Sequence, residues 1–167
     1  MLEPGEEFAG YRIVRILGRG GMGAVYAAAH PRLPRTVALK PLTLSGTDAS
    51  AQARFEREAE LLVQLDHPGI VNIFDRGVDG EVPWIAMQFV DGEDASTALR
   101  RQGVFAPDRV QHLAAQVAEA LDFAHSRGVL HRDVKPATSC WPRVSVASAP
   151  SWWTSGSRPR PMPPIRI

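Results

Sequence analysis

Tyr11-Arg-Ile-Val-Arg-Ile-Leu-Gly-Arg-Gly-Gly-Met-Gly-Ala-Val-Tyr-Ala-Ala28 contains two strand-like runs on either side of a glycine cluster. Tyr11 to Leu17 alternates apolar and polar residues, the period of a half-buried strand. Gly18-Arg-Gly-Gly-Met-Gly23 interrupts the alternation and Ala24 to Ala28 resumes it, which predicts a hairpin with an unusually glycine-rich turn. Thr36-Val-Ala-Leu-Lys40 adds a third short strand, stopped by Pro41, which has no N–H to give to a ladder.

Gln52 to Leu65 reads as a helix, with Phe55, Glu58, Ala59 and Leu62 at i, i+3, i+4 and i+7 on one face. A carboxylate on such a stripe needs a cation opposite it. His67-Pro68-Gly69 ends the helix. Ile70 to Phe74 and Trp84 to Val90 read as two more strands around the turn Val78-Asp-Gly-Glu81. Asp94 to Arg101 is a short helix closed by Gly103. A longer helix opens at Pro107, with the apolar stripe Val110, Leu113, Ala114, Val117, Ala118 and Leu121 and Gly128 as its cap. Five strands with one helix among them, followed by helices, make an α+β lobe and the opening of a helical lobe.

Composition narrows the function classes. At 44% hydrophobic and 22% charged, the 167 residues suit a folded, soluble domain. No apolar run approaches the roughly 18 residues of a membrane helix. The acidic start (Glu3, Glu6, Glu7) is not a secretory leader, so the expected location is cytoplasmic. One cysteine, Cys140, excludes an internal disulfide framework and a multi-cysteine zinc site. The averages hide a seam. Of the 19 basic and 18 acidic residues, four arginines and no acid lie beyond Pro136, which leaves 15 basic and 18 acidic residues before it. Three of the four tryptophans and six of the fourteen prolines also fall after that point.

Three groups of residues carry chemistry. Gly18-x-Gly20-x-x-Gly23 lets backbone amides approach phosphates, although by itself the spacing also suits a plain tight hairpin. A dinucleotide-binding unit needs a helix to begin within the glycines, and here a strand continues instead. Lys40 emerges from an apolar strand, and Glu58 on the inner face of the following helix meets its need for a counter-charge. His131-Arg-Asp-Val-Lys-Pro136 places a carboxylate, Asp133, two residues before a cation, Lys135. That suits phosphoryl transfer to a hydroxyl, which needs a proton acceptor beside a phosphate clamp.

Glycine loop, strand lysine, helix glutamate and H-R-D-x-K-P, in that order, resemble the eukaryotic-like Ser/Thr protein kinases of bacteria, the actinobacterial ones especially. The resemblance runs over residues 8–137. It implies an N-lobe over about 8–90, a five-stranded antiparallel sheet plus one helix, and only the first helices of a C-lobe over 91–137. It implies ATP and Mg²⁺ as cofactors and protein Ser/Thr hydroxyls as substrates. In the ATP site it implies Leu17, Gly18, Gly20, Gly23, Val25, Ala38, Lys40, Glu58, Met87, Gln88 and Val90. Val25 and Ala38 would pack on adenine, with Met87 as gatekeeper and Gln88 to Val90 at the adenine edge. Lys40 would meet the α/β-phosphates and pair with Glu58. Asp133 and Lys135 would be catalytic, Arg132 would answer an activation loop, and His131 and Leu62 would belong to a packed column.

The resemblance breaks at residue 138. The family continues K-P-x-N-I-L-L, whereas this chain reads Lys135-Pro-Ala-Thr-Ser-Cys-Trp141, with Thr138 in place of a metal-binding asparagine. No Asp-Phe-Gly follows, so the expected metal ligands are missing. One deleted base would explain the seam. Removing an A from GCC AAC ATC CTG CTG GCC (Ala-Asn-Ile-Leu-Leu-Ala) gives Ala-Thr-Ser-Cys-Trp-Pro, the sequence of Ala137 to Pro142. In the same shift, Trp152-Trp153-Thr154 forces Val-Asp in the hidden frame, and Ser155-Gly156-Ser157 permits Phe-Gly-Ile after it. Residues 138–167 are therefore expected to be a frameshifted, disordered tail, and the stripe of the long helix to be left exposed. A natural Pro-rich or nucleic-acid-binding tail would rest on four arginines and three tryptophans alone. The chain is expected to be a truncated, inactive kinase. The alternatives are an ATP-binding pseudokinase or scaffold and a non-functional pseudogene product.

Overall fold

The computed structural model describes residues 1–20, 23–42 and 59–142. The chain divides into two compact units, Met1–Asp66 with Val71–Phe89, and His67–Ile70 with Val90–Ile167.

The first unit is built on an antiparallel sheet of six strands: β1 (Glu7–Phe8), β2 (Tyr11–Gly20), β3 (Gly23–Ala29), β4 (Thr36–Pro41), β5 (Ile73–Asp79) and β6 (Val82–Gln88). Their order is β1-β2-β3-β4-β6-β5. The five expected strands are present, and β1 is an addition. It pairs with Tyr11 and Arg12 across a two-residue turn in which Ala9 and Gly10 have φ of 53° and 79°. Positive φ at both positions is what the tightest hairpin turns require. The Asp79 carboxylate steadies this turn by accepting the Ala9 N–H at 2.7 Å.

Alternation along the strands sends Val37 and Leu39 of β4 into the core and Ala38 and Lys40 to the opposite face. The core face gathers Tyr11, Ile13, Tyr26, Ala28, Val37, Leu39, Trp84 and Ala86. Tyr11 meets Trp84 edge-on at 5.4 Å and donates its hydroxyl to Asp75 at 3.1 Å. Burial, and then the Asp75 charge, push the Tyr11 phenol up to about 12. Gly77, paired with Trp84, is held by the indole: a Cβ there would lie 2.8 Å from Trp84 Cζ2. Gly77→Ala is therefore expected to destabilise this unit by about 1–3 kcal/mol, read as a lower urea midpoint.

Three expected elements differ in their bounds, the first being the strand read at Trp84–Val90, which runs over Val82–Gln88. The strand read at Ile70–Phe74 begins only at Ile73 and continues to Asp79. The chain before it is held in a turn, where His67 Nδ1 accepts the Gly69 N–H at 3.0 Å and His67 O accepts that of Ile70. Ile70 is buried there, in the second unit. The helix read at Gln52–Leu65, α1, is described over 59–63, with Ala59 buried and Leu62 half-buried. Phe55 and Glu58 lie outside the described residues.

The second unit carries β7 (Gly92–Asp94), α2 (Ala95–Gln102), α3 (Pro107–His125), a 3-10 turn (Pro136–Thr138) and β8 (Cys140–Pro142). Asp94 caps α2 by accepting the Thr97 N–H at 2.8 Å and the Thr97 hydroxyl at 2.7 Å. Burial opposes its ionisation, but these hydrogen bonds and the Arg100 charge outweigh it and hold the carboxyl below its usual range. Gly103, at φ 77°, closes the helix by donating to Leu99 O. Pro107 opens α3 as expected, but the cap is Ser126, and Gly128 (φ 75°) lies in the turn that follows.

The stripe of α3 is rotated from its expected line. Ala120 and Ala124 are buried, Leu113 and Val117 pack on Ala95 and Ala98, and Val110, Ala114 and Ala118 are exposed. The contacts that α3 makes inside this unit set the rotation. Phe123 stacks on His67 with ring centroids 4.8 Å apart, and a Cβ on Gly69 would stand 3.1 Å from that of Ala120. Residues 138–142, assigned from sequence to a disordered tail, form the end of the 3-10 turn and β8, which pairs with β7 from Asp94↔Cys140 to Gly92↔Pro142. Residues 143–167 lie outside the described residues.

Candidate functional site

The candidate residues fall into two groups, one in each unit. In the first unit the face opposite the core carries four of them. Ala38 pairs with Ala27 on β3 and with Met87 on β6, Lys40 pairs with Ile85, and Val25 lies two residues before Ala27. A period of two therefore aligns Val25, Ala38, Lys40 and Met87 on one surface. Ala38 is buried, and Val25, Lys40 and Met87 are half-buried. Ala27 and Ile85 share this face and are not among the residues that the resemblance implies, although strand alternation puts them there.

The glycine hairpin continues from the same strands. Gly18 pairs with Val25 and Gly20 with Gly23, and Leu17 is half-buried at the irregularity between Ile16 and Gly18. Gly23 has φ 109°, which favours glycine. A Cβ at Gly18 would meet nothing within 4 Å, so packing within the sheet does not account for the glycine there. Residues 21–22 at the tip are outside the described residues, as is Glu58, the expected partner of Lys40. The Gln88 N–H donates to Asn72 O at 2.8 Å. Val90 belongs to the second unit, so the segment expected along the adenine edge is divided between the two.

In the second unit, the loop after α3 holds Asp133 and Lys135 side by side, with Lys135 Nζ 2.8 Å from Asp133 Oδ2 and both side chains about half exposed. The loop is bent at Arg132, whose φ of 60° is uncommon for a residue with a Cβ. The Asp133 N–H donates to His131 O at 2.9 Å. Thr138 ties the far side: its hydroxyl accepts the Lys135 N–H at 3.2 Å and reaches Lys135 O at 2.8 Å and Asp133 O at 3.2 Å. Ser139 is buried, and its carbonyl accepts the Ala95 N–H at 2.9 Å, which fixes the loop to the start of α2. Burial, and then the Asp94 charge, raise the Cys140 thiol above its usual range. The role of the Thr138 hydroxyl as a loop tie was not legible in the sequence, where Thr138 is only a substitute for asparagine.

Among the described residues, no helix is long and apolar enough to cross a membrane.

Residues 11–138 match the family model of the protein kinase domain. The chain is 51% identical over 137 residues to the serine/threonine-protein kinase PknJ of Mycobacterium tuberculosis, covering 81% of this chain and 23% of that one. It is 52% identical over 141 residues to PknF of the same organism, covering 81% of this chain and 29% of PknF. The chain thus spans about a quarter of the length of the curated relatives it matches. Among solved structures it resembles a double mutant of the M. tuberculosis PknI kinase domain, with a TM-score of 0.78 and 41% identity over 86% of this chain and 60% of that one. The sheet of the first unit and the helices of the second have the order expected of a kinase N-lobe and the opening of its C-lobe, and the chain belongs to the serine/threonine protein kinase family.

Proposed function

We propose that residues 8–137 are the nucleotide-binding and catalytic-loop portion of a cytoplasmic Ser/Thr protein kinase domain, N-lobe to about 90 and C-lobe from 91. Residues 138–167 are then an out-of-frame segment that leaves these 167 residues without phosphotransfer. In the intact frame, the hydroxyl oxygen of a protein Ser or Thr attacks the γ-phosphorus of ATP. Its proton passes to Asp133, and the bond to the β-phosphate oxygen breaks to release ADP. Lys135, beside Asp133, meets the charge on the transferred group, and Lys40 meets the α/β-phosphates.

The observation that carries the nucleotide part is the common face of Val25, Ala38, Lys40 and Met87, three apolar side chains for a flat base and a cation for phosphate. The substitution at Thr138 and the absence of any acid after Asp133 support the loss of transfer. The same face favours a second reading, a pseudokinase that binds ATP without transferring phosphate, over a product with no activity at all.

Saturable ATP binding to the 167-residue chain, followed by fluorescence of a labelled nucleotide, is the test. Lys40→Met is expected to weaken it by about tenfold or more, the effect of losing a charge-assisted phosphate contact. Unchanged affinity in a folded Lys40→Met variant sinks the assignment of the site. Sequencing the DNA across the codons for Pro136 to Cys140 then tells a true deletion from an error in the reading.

A further inference from the structure

The donor set at the catalytic loop does not suit a divalent cation. Mg²⁺ demands near-octahedral oxygen ligands and is bound through carboxylates, phosphates and water. From Val134 to Ile167 there is no Asp, Glu, Asn, Gln or His. The one carboxylate of the loop, Asp133, has the Lys135 ammonium at 2.8 Å, a charge that repels a second cation. Thr138, at the position where the family has its metal-binding asparagine, turns its hydroxyl back onto the backbone of Asp133 and Lys135. Among the described residues, no three His, Cys, Asp or Glu stand close enough together to hold a metal ion. The loop is closed on itself where a metal site would have to open.

We infer that this chain takes its nucleotide metal-free, so that Mg²⁺ weakens binding instead of strengthening it. The inference rests on the nucleotide reading given above. The physical reason is charge. Chelation removes two negative charges from the triphosphate, and a loop that offers no ligand in exchange gains nothing from the metal. The groups assigned to phosphate are the Lys40 ammonium and the amides of the glycine hairpin, and both attract the more negative free nucleotide more strongly. A kinase that supplies carboxylate and amide ligands reverses this order, because its metal bridges protein and phosphate. Loss of those ligands does more than slow the chemistry; it changes which ionic form of the nucleotide is preferred.

The experiment is a titration of N-methylanthraniloyl-ATP into the 167-residue chain, in EDTA and in excess MgCl2 at matched ionic strength, each competed with unlabelled ATP. The dissociation constant is expected to be lower in EDTA by roughly 3- to 10-fold. The labelled adenosine, which has no phosphates, is expected to bind equally in both buffers. Equal or tighter ATP binding in Mg²⁺ overturns the inference and leaves the nucleotide reading standing. A matching difference with adenosine means that the salt acts on the protein, and also overturns it. Absence of saturable binding in both buffers overturns the nucleotide reading and this inference together.

Discussion

On the proposed frameshift, inserting one adenine between the codons of Ala137 and Thr138 is expected to yield an active kinase. With the codons set out above, the insertion gives Asn-Ile-Leu-Leu in place of Thr138-Ser-Cys-Trp141 and Val-Asp under Trp152-Trp153-Thr154, which supplies both side chains that the family uses for its metal. Transfer from γ-labelled ATP to a general Ser/Thr substrate protein is expected to rise from background to roughly 1–100 per second, the usual range for protein kinases. Asp133→Asn in the restored chain is expected to lower that rate by about 10²–10⁴-fold, the contribution of a positioned proton acceptor. A restored, folded chain that transfers no phosphate would remove the reading-frame explanation. Transfer that survives Asp133→Asn would remove Asp133 from its role.

Leu39→Ala is expected to cost about 2–5 kcal/mol, enough to unfold much of the first unit, since whole domains are stable by only about 5–15 kcal/mol. Leu39 is fully buried on β4, between Tyr26 on one neighbouring strand and Ala86 on the other. A methyl there leaves a cavity that two paired strands cannot collapse into without losing register. ATP binding is expected to fall with folding, because Ala38 and Lys40 flank Leu39 on the same strand. Val14→Ala, at a side chain that is half exposed on β2, is the control and is expected to change stability by less than about 0.5 kcal/mol. Equal urea midpoints for the two variants would contradict the assignment of Leu39 to the core.

Periodicity and punctuation carried most of the fold. The alternation from Tyr11 to Leu17, the glycines after it and Pro41 mark β2, β3 and β4 within a few residues of their observed ends. Asp94, Gly103 and Pro107 mark the helix boundaries because each acts through its own covalent geometry or a hydrogen bond within one turn. The candidate site came from the family resemblance, and strand spacing agrees with one pair in it. Ala38 and Lys40 are two apart, and on a strand that spacing alone puts them on one face.

What lay beyond the sequence depends on partners distant along the chain. β1 is two residues long, too short for any period, and exists because Ala9 and Gly10 reverse the chain onto Tyr11. The line of α3 that is buried was set by Ala95, Ala98, His67 and Gly69, and no window within the helix contains them.

The sequence by itself determined the family, the order of the five longer strands and the helices, and the identity of the chemical groups, because motifs and local geometry are written in adjacent residues. It also carries the change of composition after Pro136, where no acidic residue and four of the arginines lie. Only the tertiary structure decided that 138–142 still join the fold. Strand pairing between β7 and β8 uses main-chain N–H and C=O groups, which every residue but proline supplies in full, so the side-chain pattern of 140–142 did not announce it. Only the tertiary structure, too, turned the Thr138 hydroxyl inward on the backbone of Asp133 and Lys135.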